Sequence, residues 1–206
     1  MEQQEVNGIR VCRFINNFYK SNTYLVVAEG CEDAWLVDCG DVDHVAEMID
    51  ERGLSLKGVF LTHVHYDHIY GLNELRGRYG KFAVYTNDRG KENLYNTRYN
   101  FSKFHELDFV FEGTEVEIID DGSVVELFEG QVMEVIATPG HDWSSLTYGL
   151  GDYLFTGDSY IPGLKTVTIF PKSNKQQAKV SEELIRTKIK STTIICPGHG
   201  PMEMMK

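Results

Sequence analysis

Side chains that can bind metal ions are concentrated in residues 62–68, which read THVHYDH. On an extended chain, side chains two positions apart point to the same face, so His63, His65 and Asp67 can share one side. His68 joins them where the chain turns into a predicted helix. Three imidazoles and a carboxylate within six residues favour a metal-binding loop over a group of polar residues without a common role.

Three later segments each add one more side chain that can bind a metal. They read TPGH at 138–141, TGD at 156–158 and PGHG at 197–200. Each follows a predicted strand, and loops that follow strands collect at one edge of a sheet, where glycine allows tight turns. One such motif alone is equally typical of an ordinary turn, but the ordered set predicts a single site. Five of the seven histidines then belong to it, and we interpret His44 and His105 as non-catalytic surface or packing residues.

The types of ligand indicate which metals would bind and what they would do. Imidazoles and carboxylates suit zinc, iron or manganese, whereas structural zinc sites are usually closed by cysteines. We expect two divalent ions with open coordination positions, zinc first, with iron or manganese as alternatives. Two ions about 3.5–4 Å apart would lower the pKa of a shared water, supply hydroxide as the nucleophile and stabilise the oxyanion that forms.

The elements that must position these loops follow from hydrophobic periodicity. Predicted strands cover residues 9–18, 22–28, 34–37, 58–61, 82–86, 116–119, 123–128, 131–137, 145–149, 153–156 and 193–196. Predicted helices lie between Asp41, the expected N-cap, and Gly53, then over 69–79 and 174–190. Residues 87–111 are predicted to form a helix and a long loop. Two runs of strands, each leading into helices, predict two packed sheets with helices outside, in one domain spanning residues 1–206.

Length and charge narrow the range of functions. The chain has 206 residues, 42% hydrophobic and 25% charged, as expected for one enzyme domain. A net charge of −11 disfavours nucleic acid or an anionic membrane as partner. No apolar run is long enough to span a membrane, the first residues do not resemble a secretory signal, and four scattered cysteines favour reduced thiols. We expect a cytoplasmic protein with a small-molecule substrate; nothing in the sequence indicates an oligomeric state.

The ordered motifs resemble those of the metallo-β-lactamase superfamily and, within it, the glyoxalase II-like hydrolases, the hydroxyacylglutathione hydrolases. Residues 21–26, SNTYLV, and 37–40, VDCG, are similar to two early signatures of the family. The resemblance therefore covers nearly the whole chain. It implies the α/β fold of that family, an αββα sandwich with the site at one edge of the sheets.

The resemblance also implies roles for individual residues. The first metal would be bound by His63, His65 and His141, and the second by Asp67, His68 and His199. Asp158 would bridge the two, and Asp67 and Asp158 are the expected catalytic carboxylates. Asp38 would accept a hydrogen bond from a ligand imidazole and fix its tautomer, or would simply be a turn carboxylate before Gly40.

Departures from the family pattern affect the expected substrate. Glyoxalase II enzymes have a C-terminal helical domain that helps to hold glutathione, and this chain ends six residues after Gly200. We therefore expect that domain and a full glutathione pocket to be missing. Trp143 follows His141 closely and should lie near the site. Tyr160 and Lys165 are candidates for contact with an anionic substrate group, although solvated lysines are the alternative, and the aromatic residues of 95–111 could form a wall over the metals or fill the core.

Three functions are compatible with these residues. The leading hypothesis is metal-dependent hydrolysis of a thioester, ester or lactone. The alternative is an iron-dependent persulfide dioxygenase, with iron on His63, His141 and Asp158. The third is a metal-binding module that keeps the fold without turnover. Metal identity separates the first two, and activity separates both from the third.

Overall fold

Two β-sheets form the centre of the computed structural model, which describes residues 2–105 and 107–205. The described residues form thirteen strands, seven in one sheet and six in the other. The first sheet contains β1 (Glu2–Val6), β2 (Ile9–Ile15), β3 (Asn22–Ala28), β4 (Asp33–Val37), β5 (Ser55–Phe60), β6 (Ala83–Thr86) and β7 (Val116–Ile118), in that spatial order. The second contains β8 (Val124–Phe128), β9 (Gln131–Ala137), β10 (Leu146–Leu150), β11 (Tyr153–Gly157), β12 (Ile194–Pro197) and β13 (Glu203–Met204), also adjacent in chain order.

Four α-helices accompany these sheets within the described residues. They are α1 (Asp43–Glu51), α2 (Leu72–Tyr79), α3 (Asp88–Leu94) and α4 (Lys175–Lys188). α3 begins at an N-cap, Asn87, whose side chain accepts a hydrogen bond from the Gly90 amide, and Asn174 caps α4 in the same way. No helix of the described residues has both the length and the apolar character that crossing a membrane requires.

One of the two large hydrophobic cores lies between the two sheets. Tyr24, Trp35 and Phe60 of the first sheet pack against Tyr148 and Phe155 of the second in one buried cluster. The opposite face of the first sheet is covered by α1 and α2, and the opposite face of the second by α4, whose Ile185 contacts Leu154 and Ile195. The order of layers is therefore helix, sheet, sheet, helix, which confirms the predicted fold class.

Strand direction brings the loops of interest to one edge. β4 and β5 are parallel, so their carboxyl ends lie side by side, and β11 and β12 are parallel in the second sheet. β9 runs antiparallel to β10 and β10 antiparallel to β11, so β9 points the same way as β11. Backbone hydrogen bonds join the sheets at this edge, from Leu146 N to Thr62 O at 2.7 Å and from Asn22 N to Gly198 O at 2.8 Å.

Most predicted elements are present, with differences at their ends. Asp41 is not the N-cap of α1, because Val42 takes that position without a side-chain cap; the Asp41 carboxylate instead accepts hydrogen bonds from Asn17 N and Tyr70 Oη. α2 begins at Leu72 rather than 69, because Tyr66–His68 form a short 3-10 helix first. The sequence interpretation missed β1, an edge strand of mostly polar residues with neither face fully buried, and the two-residue β13.

Candidate metal centre

The loop after β5 and the loop after β9 form the first group of possible ligands. The donor atoms of His63, His65 and His141 lie within 4.8 Å of one another, and all three residues are buried. His141 Nε2 is 3.1 Å from His65 Nδ1. His65 and His141 are 76 positions apart in sequence, and the packing of the two sheets brings their loops together.

The second group combines the same first loop with the loop after β12. The donor atoms of Asp67, His68 and His199 also lie within 4.8 Å of one another. His199 Nε2 and His68 Nε2 are each 3.4 Å from Asp67 Oδ2. The short 3-10 helix turns Asp67 and His68 toward the same side, so that neighbours in sequence serve one site.

Asp158, at the end of β11, lies between the two groups. Its Oδ2 is 3.5 Å from His141 Nε2 and 3.5 Å from His199 Nε2, and its Oδ1 is 3.7 Å from His68 Nε2. A side chain on Gly198 would collide with this carboxylate, so glycine is required there for the close approach. One carboxylate therefore faces a possible ligand of each group.

Three of the four buried histidines have a hydrogen-bond partner on Nδ1, the nitrogen that faces away from the centre of the site, and this partner sets the orientation of the ring. His63 Nδ1 is 3.1 Å from Thr62 Oγ1, and His141 Nδ1 is 2.9 Å from the Val167 carbonyl. His68 Nδ1 is 2.8 Å from Asp38 Oδ2. With a proton on each of these Nδ1 atoms, Nε2 of all three rings presents a lone pair to the centre of the site.

Asp38 is placed as the sequence predicted for a residue that orients a ligand. It is 1% exposed. Its Oδ1 accepts a hydrogen bond from Thr62 N at 2.7 Å, and its Oδ2 accepts from Thr62 Oγ1 at 2.7 Å as well as from His68. A buried carboxylate with three donors is fully satisfied, so Asp38 fixes His68 and the start of the loop together.

Asp142 is a site residue that the sequence interpretation missed. It is buried, and its Oδ2 is 3.5 Å from His65 Nε2, which leaves His65 Nδ1 facing His141. Its Oδ1 accepts a hydrogen bond from Ser144 N at 2.8 Å, which holds the carboxylate in place. Its position directly after the TPGH motif was the available signal, since residues next to ligands often orient other ligands.

The inner atoms of this site fit metal ions. His63 Nε2, His68 Nε2 and Asp158 Oδ1 are buried and have no hydrogen-bond partner among the described residues. Leaving three buried polar atoms without partners costs about 1–3 kcal/mol each in an ordinary interior. Divalent ions would satisfy all of them, and the donors are the imidazoles and carboxylates that zinc, iron and manganese accept.

The charges within the site separate its histidines into two kinds. Burial, with His65 and His68 nearby, lowers the pKa of His141 to about 4, and burial lowers the pKa of His63. Burial also opposes a charge on His68, but the carboxylates of Asp67 and Asp38 outweigh it and raise its pKa to about 10. Without metal, His141 is therefore neutral at pH 7, whereas His68 is protonated on both ring nitrogens.

Metal affinity should consequently increase with pH. A metal can bind His68 Nε2 only after the extra proton has left, and that proton is retained up to a pH of about 10. Between pH 6 and 8 we expect the dissociation constant for the ion bound there to fall at least about tenfold per pH unit, and more steeply at the lower end, because His199 is a candidate ligand of the same ion and, against the effect of burial, the carboxylates of Asp67 and Asp158 raise its pKa. His141 adds no proton release because it is already neutral. Competition with a chelating indicator at pH 6, 7 and 8 measures this slope, and a dissociation constant independent of pH would contradict it.

A cavity of about 600 Å³ opens directly onto the candidate ligands. His65, Asp67, His141, Asp158 and His199 form its floor. Its walls are formed by Tyr19, Tyr66, Phe101, Phe104, His105, Val167, Phe170 and Pro171. Of the aromatic residues predicted in 95–111, only Phe101 and Phe104 line this cavity, and Tyr95 and Phe111 stack on each other elsewhere.

Two residues predicted to bind substrate do not line the cavity. The ring of Tyr160 is buried with Leu154, Ile185 and Ile195 beneath α4, because it fills the space between that helix and the second sheet. Lys165 is exposed and is not among the lining residues, since its loop directs it into solvent. Substrate contact by these two residues stays a prediction that their positions do not support. Trp143 also lies outside the cavity, with Lys172 Nζ 4.0 Å from its ring centroid.

Comparison with known proteins agrees with this arrangement. The family model described as "Metallo-beta-lactamase superfamily" matches residues 16–199. The chain belongs to this superfamily. The matched range contains all seven candidate ligands of the metal centre, from the loop after β5 to His199.

The most informative relatives of this superfamily member are a curated protein and two solved structures. A hydroxyacylglutathione hydrolase from Hydrogenovibrio crunogenus is 28% identical over 144 residues, which are 68% of this chain and 46% of the relative. The structure of ETHE1 from Myxococcus xanthus is 28% identical, with a TM-score of 0.73, covering 93% of this chain and 76% of that one. The BLEG-1 B3 metallo-beta-lactamase has a TM-score of 0.85 at 19% identity, covering 94% and 93%, and this likeness concerns the fold. The chain spans about half the length of the curated relatives it matches.

Proposed function

We propose that this protein is a metal-dependent hydrolase of a small-molecule thioester, ester or lactone, and that it uses two divalent ions, zinc in the first instance. The observation that carries the proposal is the set of inward-facing donor atoms without partners, arranged in two groups around Asp158. Similarity to hydroxyacylglutathione hydrolases supports the reaction type.

Different residues would bind the two ions and orient the ligands in such a reaction. His63, His65 and His141 would hold one ion, Asp67, His68 and His199 the other, and Asp158 both. When bound, the ions supply Lewis acidity and a water of lowered pKa. The buried hydrogen bonds from Thr62 and Asp38 hold the imidazoles still, which keeps the geometry fixed while charge develops on the substrate.

The walls of the cavity would place the substrate and limit the access of water. The cavity is large enough for a small molecule, and its floor consists of the candidate metal ligands, so a bound carbonyl would lie close to the ions. Because the walls are largely apolar, the electrostatic effect of the ions on the carbonyl would be weakly screened.

Two metal ions per chain are the first expected result. Elemental analysis of protein purified gently from metal-replete medium should give close to two equivalents of transition metal, because both donor groups have the ligands for one ion each. The same preparation should hydrolyse members of a panel of thioesters, esters and lactones. A reproducible metal content near zero would contradict the dinuclear site.

The alternative function is an iron-dependent persulfide dioxygenase. It is favoured by the contact of His141 Nε2 with Asp158 Oδ2 at 3.5 Å and by the closeness of His63 to both, which together provide two histidines and one carboxylate around one position. One iron per chain, oxygen uptake with glutathione persulfide and no hydrolysis of the panel would establish this alternative over the hydrolase.

A further inference from the structure

The cavity above the metal centre contains no cationic side chain. None of the described residues that line it is lysine or arginine. Lys172, the lysine nearest in sequence to the lining residue Pro171, has its Nζ 4.7 Å from the ring centroid of Tyr99 and 4.0 Å from that of Trp143, and neither ring lines the cavity. Within the described residues, the cavity wall therefore lacks the lysine or arginine side chain that most often binds a carboxylate or phosphate of a substrate.

One wall of the cavity is aromatic and packs directly on the candidate ligands. The ring centroid of Phe170 is 5.3 Å from that of His65 and 5.7 Å from that of His141. Phe101 is 4.7 Å from His65 and 5.3 Å from Phe170, and Phe104 lies 5.9 Å from Phe101. A group bound above the metals would therefore contact hydrocarbon as soon as it extends from the reacting carbonyl.

Two features indicate that this wall exists to contact a ligand. Phe101 has a φ of +64°, a left-handed conformation that costs a non-glycine residue about 1–2 kcal/mol and that is enriched at functional sites. Phe104 is 64% exposed although it is a large apolar side chain. An exposed aromatic beside a strained one, both lining a cavity that ends at the metal centre, fits a surface that becomes covered when substrate binds.

A second group of lining residues is aromatic too and carries neutral polar groups. It consists of Tyr19, Tyr66 and His105, and the His105 ring lies 5.5 Å from Tyr19 and 6.1 Å from Tyr66, centroid to centroid. Its hydroxyl groups can donate hydrogen bonds to an uncharged ester or amide group. They cannot replace the cation that a carboxylate requires.

We propose that the cavity selects thioesters or esters whose acyl group is uncharged and apolar, of about six carbon atoms or aromatic, and that it does not select for glutathione. This rests on the proposed hydrolase function. The acyl group packs on the aromatic wall, with Phe101, Phe104 and Phe170 as its main contacts. The leaving group needs no anionic anchor.

The test compares acyl groups on one uncharged thiol. The metal-loaded chain is assayed with S-acetyl-, S-butyryl-, S-hexanoyl- and S-benzoyl-N-acetylcysteamine, and with the S-lactoyl esters of N-acetylcysteamine and glutathione. Full burial of a methylene group contributes about fourfold and half burial about twofold. Hexanoyl has four more methylene groups than acetyl, so kcat/KM should rise at least about tenfold from acetyl to hexanoyl even if each is only half-buried. The two lactoyl substrates should differ by less than about tenfold, because no cationic subsite distinguishes their thiols.

Phe104→Ala tests the wall itself. Phe104 is exposed and contacts no candidate ligand among the described residues, so its truncation should leave folding and metal content intact. We expect kcat/KM for the hexanoyl substrate to fall at least about fivefold more than kcat/KM for the acetyl substrate, and Phe104→Leu to restore most of the loss. Ile169→Ala is the matched control, because Ile169 is 85% exposed in the same region and does not line the cavity.

Binding of an uncleavable analogue separates this inference from the proposed function. In the hexanoyl amide analogue, nitrogen replaces the thioester sulfur, and calorimetry should show tighter binding than for the acetyl amide, with a negative heat capacity change. Activity on the panel with no dependence on acyl length, or a thousandfold preference for the glutathione thioester, would overturn the inference and leave the hydrolase. No hydrolysis of any substrate, with chain-length-dependent amide binding retained, would overturn the proposed function and leave the inference.

Discussion

Asp158→Asn should lower both metal content and catalytic rate by at least about tenfold. The substitution keeps the shape of the side chain and removes the negative charge that stands between the two groups of ligands. Asp158 Oδ2 lies 3.5 Å from Nε2 of both His141 and His199. No other carboxylate of the described residues lies this close to a possible ligand of each group. Without that charge, two divalent cations in neighbouring positions repel each other with less compensation.

The measurement is elemental analysis together with kcat/KM on the best substrate of the panel. Asp152→Asn is the matched control, because Asp152 precedes β11 at its other end and its Oδ1 accepts a hydrogen bond from Thr192 Oγ1 only. His105→Ala should also leave metal content unchanged, since its ring stacks on Phe18, Tyr19 and Tyr66. Full activity and two equivalents of metal in Asp158→Asn would disprove the bridging role.

Asp38→Asn should lower metal affinity by about 10–100-fold although Asp38 contacts no metal position. Its Oδ1 faces the Thr62 backbone amide, so the new NH₂ group must take the position of Oδ2, opposite His68 Nδ1. Two donors then face each other, and His68 relieves the conflict by moving its proton to Nε2. That tautomer has no lone pair for a metal at the centre of the site.

Equilibrium dialysis against buffered zinc measures the affinity, and NMR of the histidine ring nitrogens reports the tautomer. Asp41→Asn is the matched control: it lies three residues further in the same loop, and its carboxylate binds Asn17 N and Tyr70 Oη, away from the ligands. Unchanged zinc affinity in Asp38→Asn, with a folded chain, would show that Asp38 serves the loop and not the ligand.

Most of the candidate ligands could be predicted because residue type and short-range spacing along the chain identify them. The spacing in residues 62–68 sets which side chains share a face, and the glycine-containing turns mark strand ends, so ligand types and their order are sequence properties. Asp142 was not predicted as a site residue, because its position after the TPGH motif does not show that it faces His65, which lies 77 positions away. The same applies to Tyr160, whose position shortly after Asp158 predicted substrate contact and whose ring packs beneath α4.

The sequence by itself determined the class of fold, the donor atoms and the absence of thiolates from the candidate metal site. Hydrophobic periodicity and ligand type depend on residues that are close along the chain. Only the tertiary structure decided the distances at which His141, Asp158 and His199 approach the first loop, the position of Asp142 beside His65, and which aromatics line the cavity. Those relations depend on strand order and on the packing of two sheets, where each contact joins residues far apart in sequence. Residue type alone does not determine which face of a loop a side chain will occupy.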